Sequence, residues 1–154
     1  MSGPARAKAE FLPDTSCMIA AVCAWHEHHE VSRKEIERRL GRAETMVVAA
    51  PAAVESYAVL TRLPPPHRLS PRDALALIEA NFLRIGRLVT LDGGAYRTLL
   101  REAPEKGVAG GRTYDAVIAA CARQAGGATL LTFDADHFAS LLDPRLEIVI
   151  LGQA

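Results

Sequence analysis

The 154 residues carry eighteen Lys and Arg against eighteen Asp and Glu, a formal net charge of zero. This excludes a basic or acidic tail and wholesale adhesion to nucleic acid, though not a locally charged site. At 49% hydrophobic and 23% charged, the chain reads as one domain over 1–154, with its core at about 10–151.

In chain order, strands and amphipathic helices alternate. Residues 10–13 predict a first strand, ending at Asp14. A helix is expected over 15–29, with Met18, Ile19, Val22, Cys23 and Trp25 on its apolar face. Ser32 and Glu35 form a capping-box pattern before a second helix to Leu40. Residues 46–50 predict a second strand, and Pro51 opens a helix to about Arg62. After the Pro64–Pro66 break, Ser70 and Pro71 open a helix carrying Ala74, Leu77, Ile78 and Phe82. Residues 88–91 predict a third strand, and Asp92 caps the helix around Tyr96, Leu99 and Leu100. Thr113 is expected to cap a largely apolar, central helix that Gly126 and Gly127 stop. A strand at 128–133, a short helix at 137–142 and a strand at 147–151 complete the chain. Five strands alternating with helices predict an α/β fold, a mostly parallel sheet covered on both faces.

Cys17, Cys23 and Cys121 form no CxxC pair and are expected to be buried free thiols. The N-terminus shows no signal-peptide pattern, and no apolar run approaches the ~20 residues of a membrane span. The chain is therefore expected to be soluble and cytoplasmic, with no membrane partner.

The acids carry the chemistry. Asp14 and Asp134 each follow a strand directly, and Asp136 comes two residues later. Glu55 and Asp115 lie in the first turns of their helices. Taken singly, Asp14 reads as a helix cap, Asp134 and Asp136 as a turn, and Glu55 and Asp115 as dipole-matched acids. Taken together, Asp14, Glu55, Asp115 and Asp134 fall at one edge of any parallel sheet, where ligands bind. Clustered carboxylates repel one another and persist when a divalent cation neutralises them. An oxygen set of this kind suits Mg²⁺ or Mn²⁺.

Four segments carry a family resemblance: Leu12-Pro13-Asp14-Thr15-Ser16, Glu55 in Pro51–Tyr57, Arg112-Thr113-Tyr114-Asp115-Ala116, and Leu131–Phe138. In this order and spacing the chain resembles the PIN-domain family, specifically the VapC-type ribonuclease toxins of toxin–antitoxin pairs. The resemblance implies a three-layer PIN-like fold and a Mg²⁺- or Mn²⁺-dependent endoribonuclease. It implies a metal held by Asp14, Asp115 and Asp134, with Glu55 completing the catalytic set and Asp136 reaching the metal through water. Thr15 and Thr132 match hydroxyl positions that support the acids. It further implies an RNA substrate such as tRNA or rRNA, a homodimer, and neutralisation by a VapB-type antitoxin. An apolar groove for that antitoxin is expected on the helices at 33–43 and 51–62. The alternatives are a degraded PIN-like RNA-binding or docking module, which predicts a missing acid, and a small metal-dependent phosphatase. If Asp14, Glu55, Asp115, Asp134 and Asp136 form one site, the rest of the chain has eighteen basic against thirteen acidic residues, a surplus of +5.

Other features weigh less. Arg112 beside the acids reads either as an RNA-phosphate contact or as a solvated or salt-bridged arginine. The run His26-Glu27-His28-His29-Glu30 fails the HExxH pattern. It reads as a solvated helix end, with imidazoles favoured by the helix dipole, or through the resemblance as a contact to RNA or a partner. Gly107–Gly111 matches no phosphate-binding loop, and Ser16 and Cys17 have no visible base to activate them.

Overall fold

Phe11 and Leu12 are wholly excluded from solvent, so the strand that carries them, β1 (Glu10–Pro13), must be covered on both faces. In the computed structural model, which describes residues 8–139 and 145–152, β1 is the middle of a five-stranded sheet. Its neighbours are β2 (Thr45–Ala49) and β4 (Thr129–Thr132), with β3 (Arg87–Val89) and β5 (Ile148–Ile150) at the edges. The order is β3-β2-β1-β4-β5 and every pairing is parallel. Pro13 pairs with Leu131, so the residues following β1 and β4 emerge side by side.

The helices are α1 (Thr15–Val22), α2 (His29–Gly41), α3 (Ala50–Arg62), α4 (Pro71–Ile78), α5 (Gly93–Glu102), α6 (Arg112–Gln124) and α7 (Ala135–Ala139). The main core joins Phe11, Met46, Val47, Leu130 and Phe138 to the inner face of α6. A smaller cluster, Ile19, Cys23, Leu60, Ala74 and Ile78, fastens α1, α3 and α4 together. Asp92 and Ser70 cap α5 and α4 as expected, accepting from Ala95 N (2.7 Å) and Asp73 N (3.1 Å). All three cysteines are buried and free. Among the described residues no helix is long and apolar enough to cross a membrane.

Four local expectations are corrected. The helix expected over 15–29 ends at Val22, and a turn leads to α2 at His29. Ser32 is therefore not a cap but a fully buried residue inside α2. Its hydroxyl donates to Cys17 O at 2.7 Å and pins α2 to α1. Glu35 instead accepts from Arg38 and Arg39. Thr113 is not a cap either, because α6 already begins at Arg112. After α4 a π-helical turn, Glu79–Leu83, carries Phe82 into the core. The short helix expected over 137–142 is α7, and residues 140–142 lie outside the described residues.

Gly86 sets how closely the chain enters β3. A Cβ there would lie 2.6 Å from Val48 Cγ2 and 2.9 Å from the carbonyl oxygen of Phe82. Both neighbours belong to the core, so neither gives way cheaply. Gly86→Ala is expected to cost about 1–3 kcal/mol, the usual cost of overpacking, read as a lower urea midpoint at unchanged slope.

Candidate active site

Asp14 occupies the junction of β1 and α1 and is 3% exposed. Its Oδ1 accepts from Cys17 N at 2.9 Å, which caps α1, and from Ser16 Oγ at 2.6 Å. Its Oδ2 accepts from Thr132 Oγ1 at 2.5 Å, across to the end of β4. The Thr132 hydroxyl in turn accepts from the Asp134 N–H at 2.9 Å. One hydroxyl therefore fixes both the carboxylate of Asp14 and the backbone from which Asp134 projects. Thr132 is itself fully buried, so this link is shielded from water. Burial pushes the Asp14 carboxyl above the ordinary carboxylate range, against the lowering effect of the Ser16, Thr132 and Cys17 hydrogen bonds. The cap reading of Asp14 is realised, and the same residue lines a cavity with the other acids.

Asp14, Glu55, Asp115 and Asp134 line one open cavity of about 590 Å³ at the carboxyl ends of the central strands. Asp115 is half-buried in the first turn of α6, with its Oδ2 shielded from solvent. Glu55 is half-buried on α3, and Asp134 is exposed after β4. Thr15 also lines the cavity, and its buried hydroxyl has no hydrogen-bond partner among the described residues. Asp136 is exposed on α7 and does not line the cavity. Arg112 is exposed at the start of α6 and does not line it either, whereas its neighbours Gly111 and Tyr114 do.

Further residues serve or line the cavity. Ser16 serves the site as a donor to Asp14 rather than as a nucleophile. Arg62 lines the cavity, and among the described residues it forms no ion pair. Helical spacing carried this signal, since Glu55, Val59 and Arg62 stand at i, i+4 and i+7 and line the same wall. His26 and His28 also line the cavity; they follow the end of α1 at Val22 and so are not a helix end, while His29 begins α2 outside the lining. Burial holds the His26 imidazole below its ordinary range, and His28 beside it adds to the effect.

The donor chemistry fits a hard divalent cation: four carboxylates, one of them rigidly held, and a buried unpartnered hydroxyl. Among the described residues no three His, Cys, Asp or Glu side chains are already gathered into a ligand set.

A parallel α/β sheet with acids gathered at the ends of its central strands is the plan of a PIN domain. The PIN domain family model matches residues 11–141, and the chain belongs to that family. Within it, the chain is similar to Ribonuclease VapC40 of Mycobacterium tuberculosis, being 41% identical over 122 residues that cover 79% of this chain and 84% of that protein. Two solved structures share the fold at 18% identity. One is VapBC2 from Rickettsia felis bound to a DNA fragment from its promoter, with a TM-score of 0.66 over 93% of this chain and 99% of that one. The other is Mycobacterium tuberculosis VapC20, a Sarcin-Ricin loop cleaving toxin, with a TM-score of 0.62 over 84% and 94%.

Proposed function

We infer that this chain is a Mg²⁺- or Mn²⁺-dependent endoribonuclease, the toxin of a type II toxin–antitoxin system. The observation that carries the reading is the acidic cavity, in which Asp14 is buried, hydrogen-bonded by three donors and coupled through Thr132 to Asp134. Similarity to a ribonuclease over most of both chains supports the same reading. Asp14, Asp115 and Asp134 hold the cation, with Asp136 reaching it only through water. When bound, the cation supplies activation of water and neutralisation of charge on a phosphodiester in in-line attack.

The chain's own residues do the rest. Thr132 and Ser16 orient Asp14. Glu55, half-exposed on the cavity wall, takes the proton of the attacking water. Arg62 holds a substrate phosphate against the negative field of the acids. The products carry 5′-phosphate and 3′-hydroxyl ends. The substrate is a structured RNA of the translation machinery, tRNA or rRNA, so cleavage arrests growth in the cytoplasm. A related fold that cleaves the sarcin-ricin loop supports rRNA as a target class.

The toxin is restrained by a VapB-type antitoxin, as VapBC assemblies of the same fold suggest, and acts as a homodimer, as the family resemblance implies. Of the two helices at 33–43 and 51–62 expected to form the antitoxin groove, α2 carries ion pairs from Arg33 to Glu30 and Glu37. The apolar part of the groove lies between α3 and α5, where Pro51, Val54 and Ala58 of α3 and Tyr96 of α5 line a second cavity of about 530 Å³ that shares Glu55, Arg62 and Tyr114 with the acidic one.

Purified chain incubated with total RNA is expected to cut it in Mg²⁺ or Mn²⁺. Excess EDTA is expected to reduce cutting to background, with full recovery on adding the metal back. Cleavage undiminished by EDTA overturns the metal mechanism. Cleavage of small phosphomonoesters in place of RNA overturns the nuclease reading.

A further inference from the structure

The turn between α1 and α2 places a row of rings beside the acids. Phe133, adjacent to Asp134, stacks on His28 with centroids 4.6 Å apart and planes at 14°. His28 lies 5.7 Å from His26, and His26 lies 5.8 Å from Trp25. Trp25 stacks on His67 at 4.1 Å and 23°. Phe133, His28 and His26 line the acidic cavity, while Trp25 and His67 do not. The row therefore begins at the acids and leads away from them, toward the loop where His67 N–H bonds to Pro64 O.

Core packing accounts for the inner end of the row, where Phe133 rests against the main core, but not for the outer end. Trp25 and His67 belong to neither core cluster, and Trp25 is 49% exposed. The chain also makes room for the inner pair. A Cβ at Gly152, where φ is +77°, would lie 3.3 Å from the Phe133 ring and 3.6 Å from His28 Nδ1. One cation, Arg62, stands on the cavity wall beside the inner rings, and Arg68, next in sequence to His67, donates its Nε–H to Leu63 O at 2.8 Å.

We propose that the rings of Phe133, His28, His26, Trp25 and His67 form a track on which unpaired RNA bases stack as the strand enters the acidic cavity. The proposal rests on the ribonuclease reading for its direction toward the acids. The physical basis is general. Single-stranded RNA is held by stacking on aromatic and imidazole rings, with cations along the backbone, and every base offers a face to stack. Such a track selects an unpaired stretch over a duplex, because paired bases are already stacked on one another. Trp25 and His67 are positioning residues here and take no part in the chemistry.

Trp25 is the chain's only tryptophan, so its fluorescence reports the outer end of the track without ambiguity. The full chain carrying Asp14→Asn is titrated with an oligouridylate of about ten nucleotides, within the usual span of a single-strand site. Saturable quenching is expected, and none with a duplex of the same length. By anisotropy of the labelled RNA, Trp25→Ala and His67→Ala are each expected to weaken binding roughly 5- to 100-fold, the range measured for loss of one stacked base. Trp25→Phe, which keeps a ring, should bind nearly as the parent does. In the chain with Asp14 intact, Trp25→Ala should raise KM for single-stranded RNA and leave kcat nearly unchanged.

Equal affinities of parent and Trp25→Ala would overturn the track, whether or not the chain cuts RNA. Ring-dependent binding by a chain that cuts nothing would uphold the track and remove the nuclease reading instead. Normal RNA binding with loss of antitoxin binding in Trp25→Ala assigns the rings to a protein partner and also overturns the proposal.

Discussion

Asp14→Asn is expected to lower RNA cleavage by at least ~10²-fold, since loss of mere supporting residues at metal sites already costs about 10–100-fold. Induced in cells without antitoxin, the variant should allow growth where the parent arrests it. Asparagine matches the shape of aspartate and keeps an oxygen for Cys17 N–H and Ser16 Oγ. It loses the negative charge that draws a cation into the cavity. The amide nitrogen then faces Thr132 Oγ1, which has a second lone pair to offer beside the one taken by Asp134 N–H.

Stability of the metal-free chain should move the other way. Burial holds the Asp14 carboxyl above its ordinary range, so the folded state binds the proton more tightly than the unfolded one. Stability is then greatest below the unfolded pKa and declines as pH rises through the window between the unfolded and folded values. Above that window the ionised, desolvated carboxylate is a net cost that asparagine does not carry. Asp14→Asn in EDTA should therefore melt at or above the parent's temperature at neutral pH. An inactive variant with a raised or equal Tm assigns the loss to chemistry. A variant that melts well below the parent returns Asp14 to a purely structural cap. Equal toxicity of variant and parent removes Asp14 from the active site altogether.

The acids were legible in the sequence because each sits at a position that a parallel sheet makes special. Asp14 and Asp134 follow short buried strands, and adjacency of β1 and β4 brings them together without any further information. Glu55 and Asp115 enter from the starts of helices facing the same edge. The extent of the cavity was less legible, because it depends on contacts between distant segments. Phe133, His28 and His67 come from three parts of the chain, and their stacking has no local periodicity to announce it. The same contacts explain the broken helix. His29 Nδ1 binds Ala20 O at 2.8 Å and Trp25 finds His67, partners that a continuous helix would not reach. Ser32 failed as a predicted cap for a related reason: a buried backbone carbonyl, Cys17 O, competes for its hydroxyl and wins. Asp136 shows what spacing leaves open. Spacing placed it beside Asp134, but once α7 begins at Ala135 its side chain is exposed outside the cavity.

Thr132→Val should be nearly as damaging to activity as loss of an acid, although Thr132 does not line the cavity. Valine fills the same volume and suits a strand, so packing in β4 is preserved. What disappears is the hydroxyl that donates to Asp14 Oδ2 and accepts from Asp134 N–H. The buried Asp14 Oδ2 then loses a partner, at about 1–3 kcal/mol if left unsatisfied, and the partly buried Asp134 N–H loses its tie to β4 at a smaller cost. Cleavage is expected to fall roughly 10- to 100-fold, as for other residues that orient a metal-binding carboxylate. The pH profile carries the diagnostic. The Thr132 hydrogen bond lowers the Asp14 pKa against the larger effect of burial. Without it the carboxyl rises further, and the ionised form that accepts a cation appears only at higher pH. The acidic limb of kcat/KM should therefore shift to higher pH in Thr132→Val, while Thr132→Ser, which restores the hydroxyl, should return it toward the parent. A lower rate with an unmoved acidic limb would show that Thr132 supports only the position of Asp134. A shift that serine reverses shows that the buried hydroxyl at the end of β4, together with Ser16 and Cys17, tempers the effect of burial on the proton affinity of Asp14.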